Sequence, residues 1–341
     1  MGDILHALPA ITALRQAHPA WEIDWVTEPA WSALLSARDG TGAQDRGPDQ
    51  PLVNRVIPAY IKAWKGRPLS LKTLDEILGL RRELQAGRYD VVIDFQGAVR
   101  SALVGWSSGV RRRIGEEDPR ERPARWLFTE RVVTQGAHVI EQDVELAAAI
   151  AGDALEPVQP WLPVDAAAER WCKGLLESGK GSPLALLNPG AGWGAKRWPV
   201  ERYAQVAAEL AGRGFRVMVN AGPHEEALAD GIQTQSGGAA MPVQCSLAEL
   251  IALTRRASVV IAGDTGPLHL ACALARPVVG IYGPTDPARN GPYGTRFKVL
   301  RSPSSVRNHA RLEAPEAGLL TIWPEDVLRA VDEVLTPEAV Q

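Results

Sequence analysis

Two hydrophobic periods alternate along this chain. Short apolar runs bounded by polar turns predict buried strands at 23–26, 55–58, 89–94 and 112–114, and again at 184–188, 215–220, 259–262 and 278–282. Between them, apolar positions three and four apart predict helices at 69–86, 98–107, 141–151, 199–212, 246–256, 267–275 and 324–335, with another opening at 223–229. Pro199 and Gly212 fit the start and the end of one helix. Ser246, with Glu249 three residues on, fits a capping box at the start of another. Strands alternating with helices imply parallel sheets covered on both faces. The stretch 152–165 carries Pro157, Pro160 and Pro163 and has linker composition. The expected fold is therefore α/β, with two Rossmann-like domains whose parallel sheets face a central cleft.

The start breaks the pattern. Residues 1–6 look like a strand-to-helix turn leading into an apolar-periodic segment at 7–17, yet no strand precedes them. The first strand of a doubly wound sheet is central, and its absence leaves backbone groups unpaired. We expect one strand with its lead-in, about ten residues in all, upstream of this sequence.

Composition narrows the picture. A chain of 341 residues exceeds the usual single core. Its apolar content of 45% and charged content of 23% are those of an ordinary globular protein. The net charge of -3 argues against a nucleic-acid partner. No apolar run approaches the ~20 residues of a membrane helix. The opening residues lack a basic segment followed by an apolar core. Cys172, Cys245 and Cys272 are widely spaced, as in a reducing compartment. A cytoplasmic protein is expected.

Chemistry concentrates at 259–294. There a buried strand, the turn Gly263-Asp264-Thr265-Gly266, a helix, a second strand and a Gly/Pro loop follow one another. A turn between a strand's carboxyl end and a helix's amino end is where open α/β sheets bind ligands, and its N–H groups suit phosphate. Asp264, Thr265 and His269 would ring that ligand; the plainer role for Asp264 is helix N-capping, and for His269 a core histidine. The glycine-rich segment 187–199 offers Lys196 as a cation, or is merely a surface loop. Its Gly190-x-Gly192-x-x-Ala195 pattern formally matches a dinucleotide fingerprint, the basis of a rival oxidoreductase reading. However, the helix starts near Pro199, and Asn220 stands where an acidic residue is wanted. Glu225 sits at another strand-to-helix turn, suited to ribose hydroxyls or to the helix dipole. Asp3 occupies the corresponding turn of the first domain, as a general base or an N-cap. Lys62, Lys65 and Arg67 cluster around Trp64, and Arg100 and Arg120 add charge to the same half, which favours an anionic partner. No D-x-D pair and no metal-ligand spacing occurs, so a metal-free mechanism without cofactor is preferred.

At these residues the chain resembles glycosyltransferase family 9, the lipopolysaccharide heptosyltransferases. The resemblance is carried by GDILHALPAI, VIPAYIKAWKG, YDVVIDFQGAVRSAL, AKRWPVERY, AGPHEEA and DTGPLHLACALARPVVGIYGPTDP. It is greater towards heptosyltransferase I than II, through IKAWKG and GPTDPARNGPYG. The resemblance implies a GT-B fold. It implies an acceptor-binding domain over 1–155, a nucleotide-sugar domain over 165–320 and a closing helix and tail over 321–341. It further implies inverting, metal-independent transfer from an ADP-heptose donor to the Kdo of a Kdo-lipid A acceptor. By matching motif, Asp3 would be the base and Lys196 would stabilise the leaving diphosphate. Glu225, Asp264, Thr265, Gly266 and His269 would hold the donor; Lys62, Lys65, Arg67, Arg100 and Arg120 would hold the acceptor. An anionic membrane surface is the expected partner, at the inner face of the inner membrane. Another family 9 transferase, or an inactive nucleotide-sugar-binding protein, is the alternative.

Overall fold

The computed structural model describes residues 1–37, 52–179, 181–222, 225–307 and 312–336. The chain divides between Pro163 and Val164 into two compact units.

The first unit opens with α1 (Gly2–Ala17). This helix begins at Gly2 and not at Ala7, so the Gly-Asp-Ile-Leu-His segment is its first turn. Every side chain from Ile4 to Arg15 is buried, so the helix is enclosed on all sides. Arg15 tolerates burial because its guanidinium is saturated: it donates to the carbonyls of Leu52 and Pro19 at 3.2 and 3.3 Å, to that of Trp21, and to Asn54 Oδ1 at 2.8 Å. There follow β1 (Asp24–Thr27), β2 (Arg55–Pro58), α2 (Ile61–Gly66), α3 (Leu71–Ala86), β3 (Val91–Asp94), α4 (Val99–Ser107), β4 (Arg112–Glu116), β5 (Glu130–Val132) and α5 (Val139–Ala151). All pairings are parallel, but β1–β2 and β3–β4–β5 are separate ladders. Among the described residues no strand joins them. Most positions of β1 and β3 accordingly stay half-buried. Gly152 ends α5 with a left-handed φ of 79°. The expected linker then folds back, Trp161 N donating to Thr12 Oγ1 at 3.2 Å.

The second unit runs α6 (Ala166–Leu176), β6 (Leu184–Asn188), α7 (Val200–Gly212), β7 (Arg216–Asn220), α8 (Glu226–Gln235), β8 (Ala240–Val243), α9 (Leu247–Arg255), β9 (Val259–Gly263), α10 (Gly266–Ala273), β10 (Val278–Tyr282), α11 (Pro287–Asn290), β11 (Phe297–Arg301) and α12 (Pro324–Leu335). Its six parallel strands lie in the order β11-β10-β9-β6-β7-β8. The three strands β6, β9 and β10 are buried at every position. One core gathers Leu187, Val219, Ile261 and Val279 of the sheet with Leu210 of α7 and Val327 and Val331 of α12.

Six elements were not expected: α2, β5, α6, β8, β11 and α11, the last a single turn inside the expected Gly/Pro loop. β8 contains Pro242 and β11 carries Lys298 and Arg301; each is an edge strand, where a proline or charged residues are tolerated. The helix expected to open at 223 begins at Glu226, and Pro223 and His224 lie outside the described residues.

Candidate nucleotide and base sites

The strand order of the second unit fixes where a ligand goes. From β6 the chain moves outward through β7 and β8, then crosses back to β9 on the other side of β6. The order therefore reverses between β6 and β9, and ligands bind outside the carboxyl ends of strands at such a point. Both ends carry charge there. Beyond β6, a tight turn at Gly194–Lys196 presents Lys196. Beyond β9, Asp264 leads into α10.

These two side chains meet. Lys196 Nζ donates to Asp264 Oδ2 at 2.5 Å and to the Asp264 carbonyl at 3.3 Å. His269 Nε2 lies 3.4 Å from Asp264 Oδ1. The lysine also sits over the Trp193 ring, 4.5 Å from its centroid. All three charged or titratable groups are nearly buried. Burial alone would raise the Asp264 carboxyl; the hydrogen bond from His269 and the Lys196 ammonium more than offset it and hold the group well below its ordinary range. The capping role open to Asp264 is thus not the one it takes. Thr265 is the N-cap residue, with no side-chain capping bond, and its hydroxyl turns back to the Gly263 carbonyl at 3.3 Å. The first turn of α10 keeps its N–H groups uncapped by side chains beside Lys196. A cation and a helix amino end together suit a diphosphate.

A distant segment holds the lysine turn. Ala195 N donates to the Leu312 carbonyl at 2.9 Å, and Glu316 N returns to the Ala195 carbonyl at 3.2 Å. A Cβ on Gly194 would sit 1.6 Å from the Glu313 carbonyl oxygen, so only glycine lets this segment dock.

Glu225 stands beside the same loop. It accepts from Gly222 N at 3.2 Å and lies 3.8 Å from Arg197. Gly190 explains the glycine-rich loop: a Cβ there would fall 1.9 Å from Glu225 Oε2. Gly190 makes room for a carboxylate, and the loop's glycines do not open α7, which starts only at Val200. Behind them Asn220 Nδ2 donates to Asn188 Oδ1 at 2.8 Å, a buried amide pair joining the ends of β7 and β6.

In the first unit Asp3 lies in the first turn of α1 but caps nothing; the N-cap is Met1. Its Oδ2 accepts from Gln96 Nε2 at 2.8 Å and lies 3.6 Å from Arg120. Gln96 was not singled out from the sequence, although it follows β3 directly in Asp94-Phe95-Gln96-Gly97. Its amide is oriented by Arg100, whose Nε donates to Gln96 Oε1 at 3.4 Å. Its backbone is fixed by Asp94, which accepts from the N–H groups of Gln96 and Gly97 at 2.8 and 3.1 Å and from Ser101 at 2.8 Å. Burial raises the Asp94 carboxyl despite these bonds. Arg100 and Arg120 therefore converge with Asp3 in one polar cluster.

Lys62, Lys65 and Arg67 belong to a second cluster. Lys62 and Lys65 are exposed on α2, with Lys62 Nζ 5.5 Å from the Trp31 centroid. Arg67 is engaged structurally: it and Trp64 Nε1 both donate to Glu76 of α3, at 3.0 and 2.9 Å. Among the described residues, no three His, Cys, Asp or Glu side chains converge as metal ligands, and no helix is long and apolar enough to cross a membrane.

Residues 77–317 match the family described as glycosyltransferase family 9 (heptosyltransferase). Lipopolysaccharide heptosyltransferase 1 of Escherichia coli (strain K12) is 32% identical over 308 residues, covering 89% of this chain and 91% of that protein. Lipopolysaccharide heptosyltransferase 2 of the same strain is 28% identical over 99% of this chain and 97% of its own length. Among solved structures, E. coli heptosyltransferase WaaC with ADP superposes with a TM-score of 0.78 at 28% identity, covering 98% of this chain and 96% of that one. The same protein with ADP-2-deoxy-2-fluoro heptose gives 0.77.

Proposed function

The chain belongs to glycosyltransferase family 9, the heptosyltransferases, and we propose that it transfers L-glycero-D-manno-heptose from ADP-heptose to the Kdo of Kdo-lipid A in lipopolysaccharide core synthesis. The fold is GT-B, with parallel sheets. The observation that carries the donor assignment is the Lys196–Asp264–His269 cluster at the point where the second sheet reverses its strand order. The first unit would take the acceptor and the second the nucleotide sugar.

In this reading Lys196 faces the diphosphate, and the amino end of α10 at Thr265 and Gly266 supplies N–H donors to it. Asp264 holds the lysine in place, and His269 steadies Asp264. Glu225 accepts from the ribose hydroxyls. Asp3 is the base. Gln96 and Arg120 both lie on Oδ2, which leaves Oδ1 to take the proton of the acceptor hydroxyl. As that proton leaves, the hydroxyl oxygen bonds to the anomeric carbon, the bond to the β-phosphate oxygen breaks, and ADP departs from the opposite face with inversion. Charge growing on the phosphate meets Lys196 and the helix end, stabilisation expected to matter most in the transition state. Lys62 and Lys65, with Arg100 and Arg120, suit the carboxylates of Kdo. The 32% identity to a heptosyltransferase 1, against 28% to a heptosyltransferase 2, favours the first heptose over a later one. An acceptor anchored in lipid A would keep the protein at the inner face of the inner membrane.

ADP release from ADP-heptose, with and without Kdo-lipid A, tests the reaction. Asp3→Ala should abolish acceptor-dependent release and leave ADP binding intact. Retained turnover rejects the base assignment; acceptor-independent release rejects the acceptor.

A further inference from the structure

Helix α3 is apolar on two sides. Leu80 and Leu84 point inward and pack with Ile57, Ala59 and Trp64. The outward side of such a helix is normally polar. Here Leu71, Leu74, Ile77 and Leu78 are 84, 53, 41 and 36% exposed, and Leu69, just before the N-cap Ser70, is 99% exposed. Positions 71, 74 and 78 stack on one side by helical spacing, and Arg81 and Arg82 continue the stripe one turn on. Both arginines are exposed, and neither makes an ion pair among the described residues. Glu76 and Glu83 fall on the flank that carries Lys72, and the exposed Asp75 lies at the edge of the stripe, one turn from Leu71 and Leu78.

The face is held rigid. Glu76 ties α2 to α3 through Trp64 and Arg67. Thr73 donates to the Arg67 carbonyl at 2.8 Å, and Ser70 caps the helix by accepting from Lys72 N at 3.2 Å. Docking would therefore order little that is not already ordered. The charges select the occupant. An interface between two copies of one protein depletes charge at its centre. An apolar arc continued by unpaired cations, with Lys62 and Lys65 on the preceding helix, is the composition of a helix lying on anionic lipid.

We propose that the outward face of α3, with Leu69 at its tip, docks on an anionic phospholipid bilayer. The leucines enter the boundary between headgroups and acyl chains, and Arg81 and Arg82 meet lipid phosphates. This deepens the membrane attachment proposed above by naming its surface, and it makes no demand on the transfer chemistry.

Co-sedimentation of the full chain with vesicles lacking acceptor tests it. The protein should pellet with phosphatidylcholine vesicles containing a quarter phosphatidylglycerol and much less with pure phosphatidylcholine. Leu71→Ser with Leu74→Ser and Leu78→Ser should weaken binding tenfold or more. Arg81→Glu with Arg82→Glu should remove the preference for the anionic lipid. On a delipidated soluble acceptor the leucine variant should keep its rate, and on vesicle-borne acceptor it should lose it. Undiminished pelleting of the leucine variant overturns the proposal. So does a concentration-dependent dimer in sedimentation velocity that the same substitutions dissolve, without vesicle binding. Vesicle binding without heptose transfer would leave the docking surface standing and reject the transfer reading instead.

Discussion

Replacing Lys196 by methionine separates what the Lys196–Asp264 pair does for the fold from what it does for the reaction. The side chain keeps its approximate length and loses its charge, leaving Asp264 nearly buried with His269 as its remaining neighbour at 3.4 Å. Breaking a buried ion pair on one side costs ~3–5 kcal/mol. Since His269 remains and the pair keeps slight solvent contact, about 3 kcal/mol is the expected loss. For an m-value of about 2 kcal/mol/M, the urea midpoint should fall by roughly 1.5 M. The transition to follow is the one that ADP raises, because a ligand stabilises the unit that binds it. Adding Asp264→Asn removes the stranded charge and should restore most of the midpoint. Activity should behave differently: in the proposed reaction both variants lack the cation assigned to the leaving diphosphate, and turnover should fall ~10²–10³-fold in each. The pH dependence has a definite sign. A carboxyl held below its ordinary range contributes stability that is present above the usual value near 4 and lost as pH falls through the depressed one. The gap between native protein and Lys196→Met should therefore be full at neutral pH and close as the medium becomes acidic. A midpoint shift under about 0.5 M, no recovery in the double variant, or near-native turnover would each refute this account.

Two further substitutions probe the other contacts. Gly190→Ala puts a methyl group 1.9 Å from Glu225 Oε2, so the carboxylate must move; ADP affinity measured by calorimetry should fall about tenfold, and Glu225→Ala added to it should cost little more. Wild-type affinity would show that Glu225 does not hold the nucleotide. Gln96→Ala frees the Asp3 carboxylate from its 2.8 Å bond; kcat should drop roughly tenfold with KM for the donor unchanged, the pattern of a misdirected base, and an unchanged kcat would make Gln96 a bystander.

What the sequence revealed depended on how far apart the cooperating residues lie. Strands 55–58, 184–188 and 278–282 read correctly to the residue, because apolar runs bounded by turn residues are local signals. The Ser246–Glu249 capping box is equally local, and it forms. Asp3 and Asp264 read just as plausibly as caps. Neither caps, because each finds a stronger partner far along the chain, Gln96 and Lys196. Nothing in the residue pattern announces those pairings. Gly190 was legible as a glycine that admits close approach, but what approaches is Glu225, a residue of the chain itself. Helix α2 was missed because its 61–66 span is too short to show a period. α6 was missed because its start abuts the proline-rich stretch.

The docking of residues 312–316 on the Lys196 turn also sets a schedule for biosynthesis. The two backbone bonds at Ala195 cannot form until the ribosome has released residues more than a hundred positions later, and α12 completes the same core. Translation proceeds at ~5–20 residues per second, so the lysine turn stays unfixed for several seconds after Lys196 is made, while the later strands of the second unit are still being added. A chain stopped short of residue 312 would lack that support altogether. Truncated products should therefore be unable to sequester donor nucleotide from the finished enzyme.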